Sequence, residues 1–164
     1  MKPTQTGRLV AQIADTLQQK RWRLATAESC TGGMVAAACT DLAGSSAWFE
    51  RGFVTYSNAA KTDLLGVSAA LLDAHGAVSE AVVRAMAEGA LAHAQAEVSL
   101  AVTGIAGPGG GSAAKPVGTV WLAWCVAGQT HSANHWFAGD RHAVRAATAA
   151  CALQGLRDLL APSS

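Results

Sequence analysis

Residues 98–105 form a nearly continuous apolar run that leads directly into a glycine-rich segment. A strand with one wet face alternates polar and apolar side chains, whereas a strand covered on both faces does not. The run therefore predicts a central strand with helices on both sides. Neighbouring patterns agree. Leu9, Ile13 and Leu17 recur at helical spacing within residues 3–20, and Ser79 caps a helical pattern through residue 96 with Val82, Val83, Met86 and Ala90 on one face.

Residues 23–28 read as a short strand, 34–40 as a helix with Thr31 as its cap, and 49–56 as a strand. A helix over 59–65 starts at Ser57-Asn58 and ends at Gly66. Residues 117–126 and 130–137 flank Ala127-Gly128-Gln129 as a hairpin turn, and Asp140 caps a last helix carrying Val144, Ala147, Cys151 and Leu159. The expected architecture is α/β: a three-layer α/β/α sandwich with a mixed, mostly parallel sheet of about five strands. No repeat or linker-like run divides residues 1–164, so a single domain is expected.

Composition narrows the function classes. With 14% charged residues, a net charge of +1 and Lys and Arg scattered singly, the chain lacks the electrostatic drive for nonspecific nucleic-acid binding. Thirty-seven residues are alanine, so much of the apolar fraction carries little side-chain area; alanine-rich helix faces pack closely, which is compatible with a homodimer. The first 20 residues hold no apolar core of signal-peptide length. The longest stretch without Asp, Glu, Lys or Arg, residues 116–139, is interrupted by Gly118, Gly128, Gln129, His131, Asn134 and His135 and makes a poor membrane span. Cys30, Cys39, Cys125 and Cys151 contain no C-x-x-C pair and fit neither a zinc site nor a disulfide scaffold. Free thiols in a cytoplasmic protein are expected.

Three stretches follow predicted strands, where open α/β sheets place ligands. In Glu28-Ser29-Cys30-Thr31-Gly32-Gly33, Ser29 stands just off the strand as a nucleophile would, and the glycines let a ligand approach free N–H groups. The alternative is that Ser29 and Thr31 only cap the helix. Cys30 is the rival nucleophile, although a buried structural thiol is its better description. In the second stretch, Tyr56 is the sole tyrosine and Lys61 one of four lysines. With Asn58 as the cap, Lys61 takes the third helical position, where a capping box prefers Glu or Gln. A cation there opposes the helix dipole at a cost of about 0.3–1 kcal/mol. The same field, with burial, lowers a lysine's pKa toward what a general base needs. Read by itself, the segment is better described as an exposed lysine on a short helix.

The third stretch contains Thr103, Gly104, Gly107 and Gly109 and leads to Lys115-Pro116-Val117-Gly118. It is not a P-loop, because Ala114 precedes Lys115 and a strand follows; it also lacks G-x-G-x-x-G spacing. Its glycines suit close approach of backbone to ligand or a mobile lid, with a bare flexible loop as the alternative. Arg141, beside the cap of the last helix, can reach a substrate phosphate. His131 and His135 would lie about 13 Å apart along a strand, too far to share a metal. His75, His93 and His142 have no evident partner, and the carboxylates show no ligand spacing, so no metal site is expected.

Taken together, Ala27-Glu28-Ser29-Cys30-Thr31-Gly32-Gly33, Tyr56-Ser57-Asn58 with Lys61, His75-Gly76-Ala77-Val78-Ser79, and the segment from Val102 through Gly110 to Lys115-Pro116-Val117-Gly118-Thr119 resemble the CinA C-terminal-domain family. The resemblance covers almost the whole chain. It implies the same three-layer fold with a mixed five-stranded sheet. Stand-alone members are nicotinamide-nucleotide amidohydrolases, which convert nicotinamide mononucleotide to nicotinate mononucleotide and ammonia in pyridine nucleotide salvage, so the implied partner is a small nucleotide and no cofactor or metal is implied. The family's serine nucleophile, with its assisting lysine and tyrosine, falls on Ser29, Lys61 and Tyr56. On this reading the N–H groups of Cys30, Thr31, Gly32 and Gly33 hold the oxyanion. The loop with Thr103, Gly104, Gly107 and Gly109, together with Arg141, holds the ring or ribose phosphate. Longer relatives carry an N-terminal domain associated with ADP-ribose pyrophosphatase activity, which the resemblance does not carry over. A noncatalytic nucleotide-binding module, or an amidase using Cys30, is the alternative.

Overall fold

The computed structural model describes residues 2–162. Five strands form one sheet: β1 (Leu24–Glu28), β2 (Phe49–Val54), β3 (Val98–Gly104), β4 (Thr119–Val126) and β5 (Gln129–Trp136), in the order β2-β1-β3-β4-β5. β1 pairs in parallel with both β2 and β3, β4 runs antiparallel to β3, and β5 antiparallel to β4. Four of the five strands therefore point the same way, as the mixed, mostly parallel expectation requires. The register brings Glu28 level with both Val54 and Val102, so β1 and β2 end together and β3 runs two residues further. Pairing of Gly104 with Val120 brings the start of β4 to the same edge. All three candidate loops leave the sheet there.

Helices α1 (Gln5–Lys20), α2 (Met34–Thr40) and α6 (Arg141–Leu160) cover one face, and α3 (Asn58–Leu65), α4 (Ala69–His75) and α5 (Glu80–Ala92) the other. The two faces differ in bulk. Leu24, Leu100, Val102, Leu122 and Trp124 point toward α1 and α6, whereas Ala27, Ala101 and Ala123 point toward α5. Small residues let α5 settle close to the sheet: Ser99 Oγ donates to the carbonyl of Ala87 at 2.6 Å. Part of the alanine content thus serves a thin layer between helix and sheet. On the bulky face, Trp124 Nε1 donates to the carbonyl of Ala152 at 2.9 Å.

Several boundaries differ from the sequence reading. The residue that caps α3 is Ser57, whose Oγ accepts from the N–H of Ala60 at 3.0 Å, so Lys61 stands one position further from the helix start than an Asn58 cap implies. α5 ends at Ala92 rather than at residue 96, because the His93 ring lies 2.7 Å from the Gly89 carbonyl and Arg51 takes the His93 carbonyl at 3.0 Å. α4 was not expected. Ser68 caps it, but Leu72 is its one buried residue, so it shows no apolar period. The hairpin turn is as expected: Ala127 and Gly128 have φ of 53° and 77°, the two left-handed residues of a type I′ turn between Val126 and Gln129. Among the described residues the four cysteines are free thiols, and no helix is long and apolar enough to cross a membrane.

Gly89 offers a test of this close layer. A Cβ there would overlap the Leu65 carbonyl and approach Leu65 Cβ to 3.1 Å. Gly→Ala in a helix ordinarily stabilises by about 0.5–1 kcal/mol. Gly89→Ala is instead expected to destabilise by about 1–3 kcal/mol in chemical denaturation, through overpacking. A stabilised variant would refute the tight α3–α5 contact.

Candidate active site

The site begins with Glu28, the last residue of β1, whose carboxylate is buried. Oε1 accepts from Thr31 Oγ1 at 2.6 Å and from the Val35 N–H at 2.9 Å, and Oε2 accepts from the Ala36 N–H at 3.1 Å. The α2 cap position is Gly33, which has no side chain to offer, so Glu28 supplies the cap from outside the helix. A negative charge is favoured at that end of the dipole. This corrects the expectation that Thr31 caps α2: its hydroxyl serves Glu28. The chain must reverse between Glu28 and α2, and Gly32 and Gly33 do so with φ of 59° and 110°, where L side chains are strained.

The reversal holds Ser29 firmly. Its N–H donates to the Val102 carbonyl at 3.1 Å, and its carbonyl accepts from the Gly32 N–H at 3.1 Å. The N–H of Thr55, just past β2, donates to the Glu28 carbonyl at 2.8 Å, so Ser29 and Thr55 stand side by side at the sheet edge. Lys61 reaches across from α3. Its Nζ lies 3.0 Å from Ser29 Oγ, donates to the Thr55 carbonyl at 2.9 Å, and makes a longer contact of 3.5 Å with the Tyr56 carbonyl. Lys61 is only 1% exposed, and burial holds its pKa below the ordinary lysine value. The Thr55 and Tyr56 carbonyls and the Ser29 hydroxyl thus surround the amine on the side away from solvent. The same geometry that solvates the amine aims it.

Ser29 and Lys61 open into a cavity of about 280 Å³. The β3–β4 loop forms one wall, with Thr103 Oγ1 donating to the Ala77 carbonyl at 3.0 Å and Lys115 Nζ donating to the His75 carbonyl at 2.9 Å. Gly107 has φ of 82° and packs against Val117 where a Cβ would overlap it. At the rim, Arg141 donates to the Gly107 carbonyl and to the Tyr56 hydroxyl, both at 2.8 Å. Cys30 also faces the cavity, but burial pushes its thiol up to about 11, so it stays protonated near neutrality. Among the described residues no group of three or more His, Cys, Asp or Glu is placed to hold a metal ion.

Residues 6–160 match the family model described as the CinA C-terminal domain. The chain belongs to that family. It is 55% identical over 154 residues to the nicotinamide-nucleotide amidohydrolase PncC of Enterobacter agglomerans, spanning 93% of this chain and 94% of that protein. The protein of the same name from Escherichia coli (strain K12) is 52% identical over 157 residues, 95% of each chain. The crystal structure of the competence/damage inducible protein CihA from Agrobacterium tumefaciens matches with a TM-score of 0.92 at 45% identity, covering 97% of this chain and 98% of that one.

In this CinA domain, Ser29, Cys30, Tyr56, Lys61, Thr103, Gly104, Gly107, Gly109 and Arg141 all line the cavity. Thr31, Gly32 and Gly33 do not; the Gly32 N–H is already taken by the Ser29 carbonyl, and the Thr31 hydroxyl donates to Glu28. The Tyr56 hydroxyl bonds Arg141, and it is the Tyr56 carbonyl that meets Lys61. Two contributors escaped the sequence reading. Glu28 was visible only as the strand's last residue. Arg145 donates through Nε to the Cys30 carbonyl at 3.0 Å and through Nη2 to the Thr31 carbonyl at 3.2 Å. Its spacing of four from Arg141, which puts both guanidiniums on one helix face, was the available signal.

Glu28→Gln keeps the shape but gives the Ala36 N–H or its neighbours an amide donor to face. The expected loss is about 1.5–3 kcal/mol of unfolding free energy, with a loosened start to α2 seen as faster amide exchange at Val35 and Ala36. Unchanged stability would show that the carboxylate does not hold the turn.

Proposed function

We propose that the chain is an amidohydrolase that converts nicotinamide mononucleotide to nicotinate mononucleotide and ammonia, with Ser29 as nucleophile and Lys61 as its base. The observation that carries this reading is the 3.0 Å contact between a buried amine of lowered pKa and a serine hydroxyl that opens into a cavity. The substrate is supported by relatives named nicotinamide-nucleotide amidohydrolase at 52–55% identity over nearly the whole of both chains. The reaction would serve pyridine nucleotide salvage in the cytoplasm.

Neutral Lys61 takes the proton of Ser29, and Oγ adds to the carboxamide carbon, forming a tetrahedral oxyanion. The Cys30 N–H, which donates to no other residue among those described, lies where the donor following a nucleophile stands. Such a donor is worth about 2.7–4 kcal/mol. The Lys61 ammonium returns its proton to the amide nitrogen, the C–N bond breaks, and ammonia leaves an ester on Oγ. Lys61 then deprotonates a water that attacks the ester; nicotinate mononucleotide departs and Oγ regains a proton. Arg141 fits the substrate phosphate, since its present partners, a phenol and a carbonyl, are neutral and a phosphate is the stronger acceptor. Arg141 also stands in the first turn of α6, where a cation opposes the dipole, a local cost that ligand binding would explain.

Incubation with nicotinamide mononucleotide should release ammonia and the acid in equal amounts. Ser29→Ala and Lys61→Arg are each expected to lose about 10⁴-fold in turnover, whereas Cys30→Ala retains activity. Full turnover by Ser29→Ala with loss in Cys30→Ala would transfer the role to the thiol. In pH dependence, the neutral amine is the active form, so kcat/KM rises as Lys61 deprotonates and falls below its folded pKa. Because burial lowers that pKa, the inflection should lie below about 10.4, the ordinary lysine value. An inflection at or above that value, or a profile that falls through this range, would remove Lys61 as the base.

A further inference from the structure

We infer that Arg145 is a positioning residue that sets the oxyanion donor beside Ser29, although it does not line the cavity. The inference rests on Ser29 being the nucleophile. In a trans peptide the C=O and the N–H of the same plane point in opposite directions, so fixing one aims the other. Three successive planes lie between Ser29 and Gly32. Arg145 Nε holds the Cys30 carbonyl at 3.0 Å, which turns the Thr31 N–H away from α6. Arg145 Nη2 holds the Thr31 carbonyl at 3.2 Å, a carbonyl that also accepts from the Met34 N–H at 3.1 Å. That plane's other end, the Gly32 N–H, donates to the Ser29 carbonyl. The Ser29 carbonyl in turn shares its plane with the Cys30 N–H, the donor adjoining the nucleophile. One planar guanidinium thus fixes two planes directly and the third through Gly32.

Arginine is the residue for this task. Its fork presents two donors in fixed relative geometry, which a lysine's single rotating ammonium does not. The turn has little else to hold it from that side. Gly32 and Gly33 carry no side chains, and a Cβ on Gly32 would meet the Arg145 guanidinium at 3.5 Å, so the clamp lies directly over the flexible glycines. α6 then does two separate things four residues apart: Arg141 faces the rim through Gly107 and Tyr56, and Arg145 sets the turn under the nucleophile.

The test compares Arg145→Ala and Arg145→Lys with wild type in steady-state turnover of nicotinamide mononucleotide. The second readout is inhibition by pyridine-3-boronic acid, which forms a tetrahedral adduct on a serine. A donor displaced by about 1 Å costs about 10²-fold, so Arg145→Ala should lose about that much in kcat with KM within about twofold. Boronate affinity should fall in parallel, and the pH inflection assigned to Lys61 should stay put. Arg145→Lys, which keeps the charge and one donor, should fall between the two, and it carries the test if the alanine variant does not fold. The inference is overturned if either variant keeps wild-type kcat, or if KM rises with kcat unchanged, which would make Arg145 a substrate-binding residue. Absence of ammonia release by wild type, or full activity in Ser29→Ala, would instead sink the underlying assignment of the nucleophile.

Discussion

A carboxylate taken out of water is costly unless its lone pairs are used, and Glu28 uses its own on three donors from the eight residues that follow it. That arrangement decides where the chain goes after β1. Helix α2 must start beneath the carboxylate, the intervening segment must double back within a few residues, and its two left-handed positions favour glycine. Ser29 is left at the crest of the reversal with both its backbone groups occupied and its hydroxyl free to face Lys61. Ser29 is therefore held in place because the buried charge of the preceding residue, Glu28, is satisfied within this turn.

The cations at this edge of the sheet are used differently according to burial. Lys61 is buried at the cavity wall, is solvated by one hydroxyl and two carbonyls, and has its charged form disfavoured. Arg141 and Arg145 are partly solvated, one at the rim and one behind the turn. A base needs an amine that can be neutral, while phosphate recognition and clamping of carbonyls need a fork that never is. Under the proposed reaction, exchanging the residue types between these places is expected to lose each role.

The thin α5 face bears on the same geometry. Small residues at Ala27, Ala101 and Ala123 draw α5 against the sheet, and the α3–α5 contact at Gly89 and Leu65 sets how far α3 can stand off. That separation, in turn, sets whether Lys61 reaches Ser29. The alanine content of the chain is a requirement of layer spacing as much as a filler of surface.

The apolar run over β3, the stripe of α1, the hairpin at Ala127-Gly128 and the loops at the strand ends were legible because each depends on short-range chemistry: periodicity, left-handed turns and capping. The family motifs likewise picked out Ser29, Tyr56 and Lys61 from their order along the chain. Helix α4 was not legible, since one buried leucine makes no period, and the caps at Ser57 and Glu28 were mistaken for Asn58 and Thr31, because neighbouring residues offered equally good local hydrogen bonds. What the sequence determined by itself was the layered architecture and the strand-end loops whose residues line the cavity. Only the tertiary structure decided that Lys61 is buried against Ser29, that the Tyr56 phenol belongs to Arg141, and that Arg145 reaches the turn after Ser29 from 115 residues away. Burial and long-range contact are properties of the packed layers, and no local pattern along the chain encodes them.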